Sequence, residues 1–427
     1  MLFLTNLEIM DKITQEFFNI ERWEYAIEKG VAKGINKAQL YQLTKPETRV
    51  AMYEAVREGR YEIAPPHTAL IPKDTPGEFR TVYINEPTDR IFLSIANDLL
   101  FDLMPDAIHP RCKSYQKGIG CGKVVKEISH IVCTTSGEFK GWKADFSKYF
   151  DSVPIEFIDK AFDDVERVHG HSAIIDVLRK YYHSDLYFDT DGILQEKYQS
   201  LKQGCSVASY LANVVMYDLD RRLDELPGFY CRYSDDSLFL GEDYETAMEI
   251  MRDECMKKGI TLNPKKVEFI TDSQWFKFLG YSIKGSKISL SSTRIKAFQK
   301  EIENRTIRSG KPFKCCLNRV LNYLYKGNGK FSWATQILPV CNVERDIDEL
   351  NKFVMDCLRA VITGKKKIGG LGYVREQKEG CIQRGIGRNV KANRQKTGYL
   401  ERYLSLGCAR KAMLTRKDVY RTLVTQL

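Results

Sequence analysis

The sequence contains no run of about 18 apolar residues, which is the length that a membrane-spanning helix needs. Its first residues, Met1 to Leu7, are apolar, but Asp11 and Glu16 follow closely. The segment lacks the basic start and the small-residue cleavage site of a signal peptide. We therefore expect a protein without a membrane partner that works inside the cell, in the cytoplasm.

Zinc ligands at their usual spacing are also missing. The twelve cysteines are scattered, no C-x-x-C pair occurs, and the six histidines do not group with them. His169 and His171 are close enough to share an ion, but two exposed loop histidines are the simpler interpretation. Without a secretory signal, free thiols are favoured over disulfides.

Positive charge is concentrated at one end of the chain. Residues 365–427 contain sixteen Lys and Arg against four Asp and Glu, a surplus of +12, so the first 364 residues carry −2 of the total of +10. Glycines and tyrosines such as Tyr373, Tyr399 and Tyr403 interrupt the basic residues. This composition favours a segment that binds a polyanion such as nucleic acid over a plain solvated face.

Hydrophobic spacing divides the chain into parts. Residues 1–60 have helical periodicity, 61–283 mix short strands with helices, and 284–364 are helical again before the basic segment 365–427. The clearest predicted helices are 88–103, 154–168, 206–223 and 244–258. The predicted strands are the hairpin 67–72 and 79–84, then 138–143, 229–233, 237–240, 266–270 and 276–283.

Three aspartates stand where strands end. Asp235 and Asp236 occupy a tight turn between two apolar strands, and Asp145 follows another strand. An isolated Asp-Asp pair such as Asp163-Asp164 carries little meaning. Acids from separate elements are what two-metal phosphoryl transfer requires, because two ions about 3.5–4 Å apart must be held by oxygen ligands. The pattern favours nucleotidyl transfer.

Seven segments between about residues 67 and 283 resemble, in order, the conserved blocks of reverse transcriptases. They are Ile71-Pro72-Lys73 with Gly77 and Arg80, Ser114 to Gly118, Asp145 to Asp151, Gln203-Gly204 with Ser209 and Asn213, Tyr233 to Asp236, Gly259 to Asn263 with Lys266, and Phe278 to Tyr281. The resemblance implies an α+β right-hand polymerase, with fingers and an antiparallel-sheet palm in 61–283, a helical thumb in 284–364 and an N-terminal helical extension.

The resemblance also implies site residues. Asp145, Asp235 and Asp236 would be catalytic and would bind two Mg²⁺ ions, with Mn²⁺ as a substitute. The nucleotide-binding residues would be Lys73, Arg80, Phe146, Phe150, Gln203, Gly204 and Lys266. Phe150 stands where this family has the aromatic gate that rejects a ribose 2′-hydroxyl and so selects dNTPs; plain core packing is the alternative. Lys202 stands where the family usually has proline, and Cys205 and the Tyr115-Gln116-Lys117 segment also depart from the pattern.

No segment resembling an RNase H or an HNH nuclease follows the blocks. The chain therefore resembles most the stand-alone bacterial enzymes of the unknown group, class 2 type, that act in anti-phage defence. That resemblance implies a dedicated noncoding RNA that is bound and copied into repetitive cDNA. The predicted RNA-binding residues are Lys365, Lys366, Lys367, Arg384, Arg388, Lys391, Arg394 and Lys396.

Three alternatives stay open at this stage. The chain could be a retron or group II intron enzyme, or a maturase-like RNA-binding protein whose polymerase site is vestigial, although all three acids are present. Synthesis primed on a tyrosine such as Tyr399, Tyr403 or Tyr420 is the third. No feature of the sequence specifies an oligomeric state.

Overall fold

The computed structural model describes residues 11–32, 35–72, 77–135, 139–326 and 332–363. Lys73 and the whole basic segment, with its predicted RNA-binding residues, lie outside the described residues. The described residues fall into two compact units: those within 1–119 together with 139–271, and those within 120–138 together with 272–363. The predicted domain boundaries at 60/61, 283/284 and 364/365 divide the chain by sequence pattern, not by compact unit, and they stay predictions.

Helices and strands alternate along most of the described chain. The helices are α1 (Lys12–Phe17), α2 (Ile20–Ala32), α3 (Lys37–Thr44), α4 (Pro46–Arg57), α5 (Pro87–Leu103), α6 (Cys121–Thr134), α7 (Tyr149–Ser152), α8 (Ile155–His169), α9 (Ala173–His183), α10 (Ala208–Val214), α11 (Tyr217–Asp224), α12 (Tyr244–Lys257), α13 (Ser292–Arg305), α14 (Phe313–Leu321) and α15 (Glu344–Thr363). The strands are β1 (His67–Pro72), β2 (Phe79–Ile84), β3 (Lys140–Ser147), β4 (Leu186–Phe188), β5 (Leu194–Glu196), β6 (Phe229–Tyr233), β7 (Asp236–Leu240), β8 (Thr261–Leu262), β9 (Glu268–Thr271), β10 (Phe276–Phe278), β11 (Tyr281–Lys284) and β12 (Lys287–Leu290). The predicted α+β class is confirmed.

The N-terminal helices pack on the rest of the first unit. Helices α1, α2 and α3 contact α5, and α1 and α4 contact α9. Asp11 caps α1 by accepting a hydrogen bond from the Thr14 backbone N–H at 2.7 Å. The rings of Phe17 and Phe92 lie 4.5 Å apart, and the buried Trp23 donates its indole N–H to the Phe17 carbonyl at 3.1 Å. Shared aromatic packing therefore makes the helical segment part of the first core.

A central antiparallel sheet organises the middle of the first unit. Its order is β6-β7-β3-β8, and β9 pairs with the same edge of β3 as β8 does, but nearer the start of β3. Trp142 and Phe239 are fully buried beneath it, with their rings stacked 6.0 Å apart. A second sheet, β2-β1-β4-β5, contains the predicted hairpin, whose register pairs Ile71 with Arg80.

Two predicted elements are each divided in the structure. The single helix predicted at 206–223 is wrong: it breaks into α10 and α11 at Val215 and Met216. The Tyr149 hydroxyl and the Arg232 guanidinium take the carbonyls of Ala212 and Asn213, which would otherwise accept bonds from the next turn. The strand predicted at 276–283 is a β10–β11 hairpin that turns at Leu279 and Gly280, with φ of 48° and 79°.

The second unit combines one helix from mid-chain with the following strands and helices. Strands β10-β11-β12 form an antiparallel sheet beside α6, and the Ser129 hydroxyl donates to the Gly285 carbonyl at 2.9 Å. Helices α13, α14 and α15 pack on one another. Within the described ranges, no helix is both long and apolar enough to cross a membrane. The ten cysteines of these ranges are free thiols, and seven of them are buried as predicted, whereas Cys133 and Cys315 are exposed.

Candidate active site

Strand pairing places the three predicted aspartates at one edge of the central sheet. Asp145, near the end of β3, lies opposite Asp236, the first residue of β7. Asp235 stands in the two-residue turn Ser234-Asp235 between β6 and β7, which we call the Asp-Asp turn. The Asp235 carbonyl accepts the Phe146 backbone N–H at 3.2 Å, so backbone bonds as well as the register hold this turn against β3.

Lys266 compensates part of the negative charge of this cluster of acids, and the charge of Lys143 also acts on Asp236. Lys266 donates from Nζ to Asp145 Oδ2 at 2.7 Å. Burial raises the pKa of Asp145, an effect that the Lys266 bond opposes and the Asp235 charge reinforces. Burial, together with the charges of Asp235 and Asp145, raises the pKa of Asp236 to about 7. The site therefore has more negative charge than its own residues neutralise, which suits a bound cation.

The Asp-Asp turn has a strained backbone that neighbouring side chains hold in place. Ser234 has a φ of 60°, a left-handed conformation that residues with side chains rarely adopt. Its carbonyl accepts a hydrogen bond from Arg232 Nη1 at 3.1 Å. Its hydroxyl lies 3.1 Å from the hydroxyl of Tyr115, which belongs to the second sequence block. These two contacts fix the direction in which the turn presents its acids.

Beneath the turn lies a buried ion pair that the sequence analysis missed. Arg232 and Asp220 are both 0% exposed, and Arg232 donates to both Asp220 carboxylate oxygens at 2.7 and 2.6 Å. The Tyr230 hydroxyl donates to the same carboxylate at 2.8 Å. The signal in the sequence was an arginine between apolar residues of a strand, a position that is almost never buried without a partner.

The predicted nucleotide-binding residues of the palm differ in exposure. The Phe146 side chain is 2% exposed, so a nucleotide contact by this residue would involve its backbone, and its predicted role stays a prediction. Phe150 is half-buried against Tyr149, with the rings 5.7 Å apart, and keeps an exposed part as a gate requires. Arg80 is exposed on β2. Asn213 is fully buried and exchanges hydrogen bonds with Ser114 at 2.7 and 2.8 Å.

Gly204 allows a close backbone approach. Its φ is 112°, and a Cβ atom at this position would lie 2.7 Å from the Tyr83 carbonyl oxygen. The Gln203 carbonyl in turn accepts the Tyr83 backbone N–H at 2.7 Å. The loop with Gln203 and Gly204 therefore joins the strand that carries Arg80, and only glycine fits here.

A further group of potential metal-ligating side chains lies outside the predicted site. Within the described parts of the chain, the only three ligand-type side chains whose donor atoms all lie within 4.8 Å are Glu166, His171 and Asp176. These are already paired with one another at the corner between α8 and α9, and His169 contacts the Leu103 carbonyl instead.

The last of the seven sequence blocks, Phe278 to Tyr281, lies in the second unit. The Arg294 guanidinium stacks 4.5 Å from the Tyr281 ring and donates to the Leu279 carbonyl at 3.1 Å. A Cβ on Gly280 would lie 2.5 Å from that guanidinium, so the glycine leaves room for it. The turn at the end of β10 is thus held rigidly from one side.

The sequence comparison decides the family of this region. Residues 71–283 match the family model described as reverse transcriptase (RNA-dependent DNA polymerase). The chain carries a reverse transcriptase domain. Such a domain is an RNA-directed DNA polymerase, a nucleotidyltransferase, and all three aspartates and the Asp-Asp turn lie within the matched residues. A search of curated proteins found no match.

Among solved structures, this reverse transcriptase domain and its flanks are similar to telomerases. Apo telomerase from Candida tropicalis is 12% identical with a TM-score of 0.47, over 85% of this chain and 69% of that one. A form truncated from its C-terminal domain is 14% identical with a TM-score of 0.42, over 56% and 58%. Telomerase from Candida albicans with a fragment of telomeric RNA is 12% identical with a TM-score of 0.43, over 87% and 64%. The chain thus spans 58% to 69% of these relatives, and similarity at this level transfers no substrate or partner.

Proposed function

We propose that this protein copies an RNA template into DNA from dNTPs, with Asp145, Asp235 and Asp236 holding two Mg²⁺ ions. The observation that carries the proposal is the register that sets Asp145 opposite Asp236, beside the Asp-Asp turn, inside the range that matches reverse transcriptases. The raised pKa values of Asp145 and Asp236 support it, because crowded carboxylates are stabilised by a cation. Mn²⁺, with the same ligand preference, is expected to substitute.

Each predicted residue then has a physical role. The ions, when bound, would favour a nucleophilic primer 3′-hydroxyl and neutralise charge on the triphosphate. Lys266 holds the Asp145 carboxylate at 2.7 Å and offsets part of the cluster's charge. Arg80, exposed on β2, offers a planar fork for phosphate oxygens, with Lys73 as a point charge nearby in sequence. Phe150 would exclude a ribose 2′-hydroxyl.

We further propose that the template is a dedicated noncoding RNA, bound by the basic segment and copied repeatedly, and that the cDNA serves anti-phage defence in the bacterial cytoplasm. The +12 surplus of residues 365–427 supports RNA binding, because basic side chains contact phosphates while interspersed tyrosines stack on bases. Binding by this segment should weaken steeply as salt rises, and a salt-insensitive affinity would remove it from this role.

The test is to sequence all nucleic acid that co-purifies with the wild type and with Asp235→Ala/Asp236→Ala, from a host carrying the native flanking DNA. One RNA enriched in both samples, with complementary DNA only in the wild type, is the expected result. RNA in both samples and DNA in neither, with and without phage, would replace the polymerase by a maturase-like RNA-binding function.

A further inference from the structure

The loop before the Gln203-Gly204 pair has an unusual backbone. Both Ser200 and Lys202 have a φ of 51°, in the left-handed region that disfavours side chains. Proline cannot adopt this angle, so Lys202 is not a simple replacement for one. Such conformations persist only where the surroundings hold them, and they concentrate at functional sites. We call residues 198–205 the Gln-Gly loop.

Lys202 is the residue that ties this loop to the protein interior. It is 1% exposed, and its Nζ donates to the Ser184 carbonyl at 2.7 Å and to Gln199 Oε1 at 2.9 Å. The ammonium also lies 4.7 Å from the centre of the Tyr181 ring. Each contact joins the Gln-Gly loop to the end of α9 or closes the loop on itself. Lys202 is thus the charged member of a set of side chains, with Gln199 and Ser200, that fix the loop.

This anchorage is poor as a source of stability. Within the described residues, Lys202 forms no ion pair with a carboxylate, and its Nζ donates to a carbonyl and an amide oxygen. Burial lowers the pKa of Lys202 to about 8, although the charges of Cys205 and Asp185 oppose the shift. A buried ammonium without a carboxylate costs free energy, and a methionine would fill a similar volume without that cost. The benefit of the lysine must therefore lie in the conformation that its hydrogen bonds impose.

What the Gln-Gly loop holds is the predicted nucleotide pocket. The Leu201 backbone N–H donates to the carbonyl of Phe150, the predicted sugar gate, at 3.1 Å. One residue beyond Lys202, the Gln203 carbonyl accepts the Tyr83 N–H at 2.7 Å, from the strand that carries Arg80. The Ser200 hydroxyl donates to the Val153 carbonyl at 2.9 Å, just after α7. The gate, the glycine and the phosphate-binding strand therefore meet on this loop.

We propose that Lys202 is a positioning residue for nucleotide selection: its buried ammonium holds the Gln-Gly loop so that Phe150 and Gly204 are placed to accept a dNTP and reject an rNTP. This inference rests on the proposed function. It concerns how the pocket is held, since Lys202 is buried behind the loop and contacts no substrate itself.

The test compares purified full-length wild type, Lys202→Met and Lys180→Met in single-nucleotide extension of a DNA primer on an RNA template. Lys180 is a matched control, because it donates to a backbone carbonyl, that of Gly59, from an exposed position on α9. For Lys202→Met we expect the KM for dNTP to rise about tenfold and the preference for dNTP over rNTP to fall about tenfold, with kcat changed much less, because small misplacements of a binding group are costly. Lys180→Met should match the wild type.

Hydrogen exchange supplies a measurement that needs no catalysis. In Lys202→Met, the backbone amides of Leu201 and Tyr83 should exchange faster, while those of the central strand β7 should not. Unchanged nucleotide preference, or unchanged exchange at both amides, would overturn the proposal. A general loss of kcat with global exchange would reduce Lys202 to a folding role and overturn it as well. A wild type that extends no primer would instead overturn the proposed function, and the selection role with it.

Discussion

Replacing Arg232 by methionine would remove the buried cation beneath the Asp-Asp turn while keeping most of the side-chain volume. In the native protein its guanidinium makes five hydrogen bonds: two to the Asp220 carboxylate and one each to the carbonyls of Ala212, Asn213 and Ser234. The variant leaves the Asp220 charge fully buried with only the Tyr230 hydroxyl as a donor. Breaking a buried pair from one side costs about 3–5 kcal/mol of unfolding free energy.

A second substitution separates the cost of the stranded charge from the cost to the turn. Arg232→Met/Asp220→Leu removes both charges, so it should recover most of the lost free energy of unfolding. It should not recover polymerase activity, because the Ser234 carbonyl still lacks its donor and the Tyr115 contact alone remains to hold the strained Ser234. The double variant is therefore expected to be nearly as stable as the wild type but to remain inactive.

Urea denaturation followed by tryptophan fluorescence measures the first quantity, and primer extension with saturating dNTP measures the second. Arg221→Met is the control, since Arg221 pairs with Glu225 at 2.6 Å while both side chains are about half exposed, at 47% and 62%. Losing that pair should change stability by no more than about 0.5 kcal/mol. If Arg232→Met cost less than about 1 kcal/mol, or if the double variant regained full activity, the reasoning about a positioned turn would be wrong.

Four further predictions concern the pocket and the metal site. Gly204→Ala should lower the free energy of unfolding by about 1–3 kcal/mol and should also weaken dNTP binding. In the control Gly192→Ala, where φ is 79° and a Cβ would have no atom within 4 Å, only the smaller backbone penalty is expected. Equal melting temperatures of the two variants would contradict the close approach of Gly204 to β2. Phe150→Ala should raise incorporation of rNTPs at least about tenfold in gel-based extension, and an unchanged ratio would assign Phe150 to packing. The pKa of Lys202 is about 8 in the folded protein and about 10.5 in the unfolded chain, so the cost of this buried charge disappears as the pH rises between those values. In urea titrations, the free energy of unfolding of the wild type should therefore rise by about 3 kcal/mol relative to that of Lys202→Met across this window. Parallel curves for the two proteins would refute the low pKa. Mg²⁺ should raise the melting temperature of the wild type more than that of Asp236→Asn, and an equal rise would argue against a metal ligand at Asp236.

Much of the fold near the site could be predicted from local patterns. The hairpin of β1 and β2 and the strands on either side of the Asp-Asp turn follow from alternating apolar residues bounded by turn residues, and both were predicted with bounds that agree to within a residue. The identity of the three acids as a set also came from the sequence, because their types and order match a known series of blocks. That Asp145 lies opposite Asp236 could be seen only once the pairing of β3 with β7 was known.

Helix and strand breaks were not predictable in the same way. The pattern of 206–223 is helical throughout, and the break between α10 and α11 depends on Tyr149 and Arg232, which lie far away in sequence. Local periodicity contains no information on such bonds, because they form only after distant elements have packed.

By itself, the sequence determined which chemistry the chain can carry out: three carboxylates in the right order, a glycine for close approach and an aromatic candidate for the gate. The tertiary structure alone decided how these groups are held. Arg232 meets Asp220 only because β6 packs beside α11, and Lys202 meets Ser184 only because the Gln-Gly loop folds back on the end of α9. Buried charges must find partners when water is excluded, and which partners they find is set by packing between elements rather than by the order of residues.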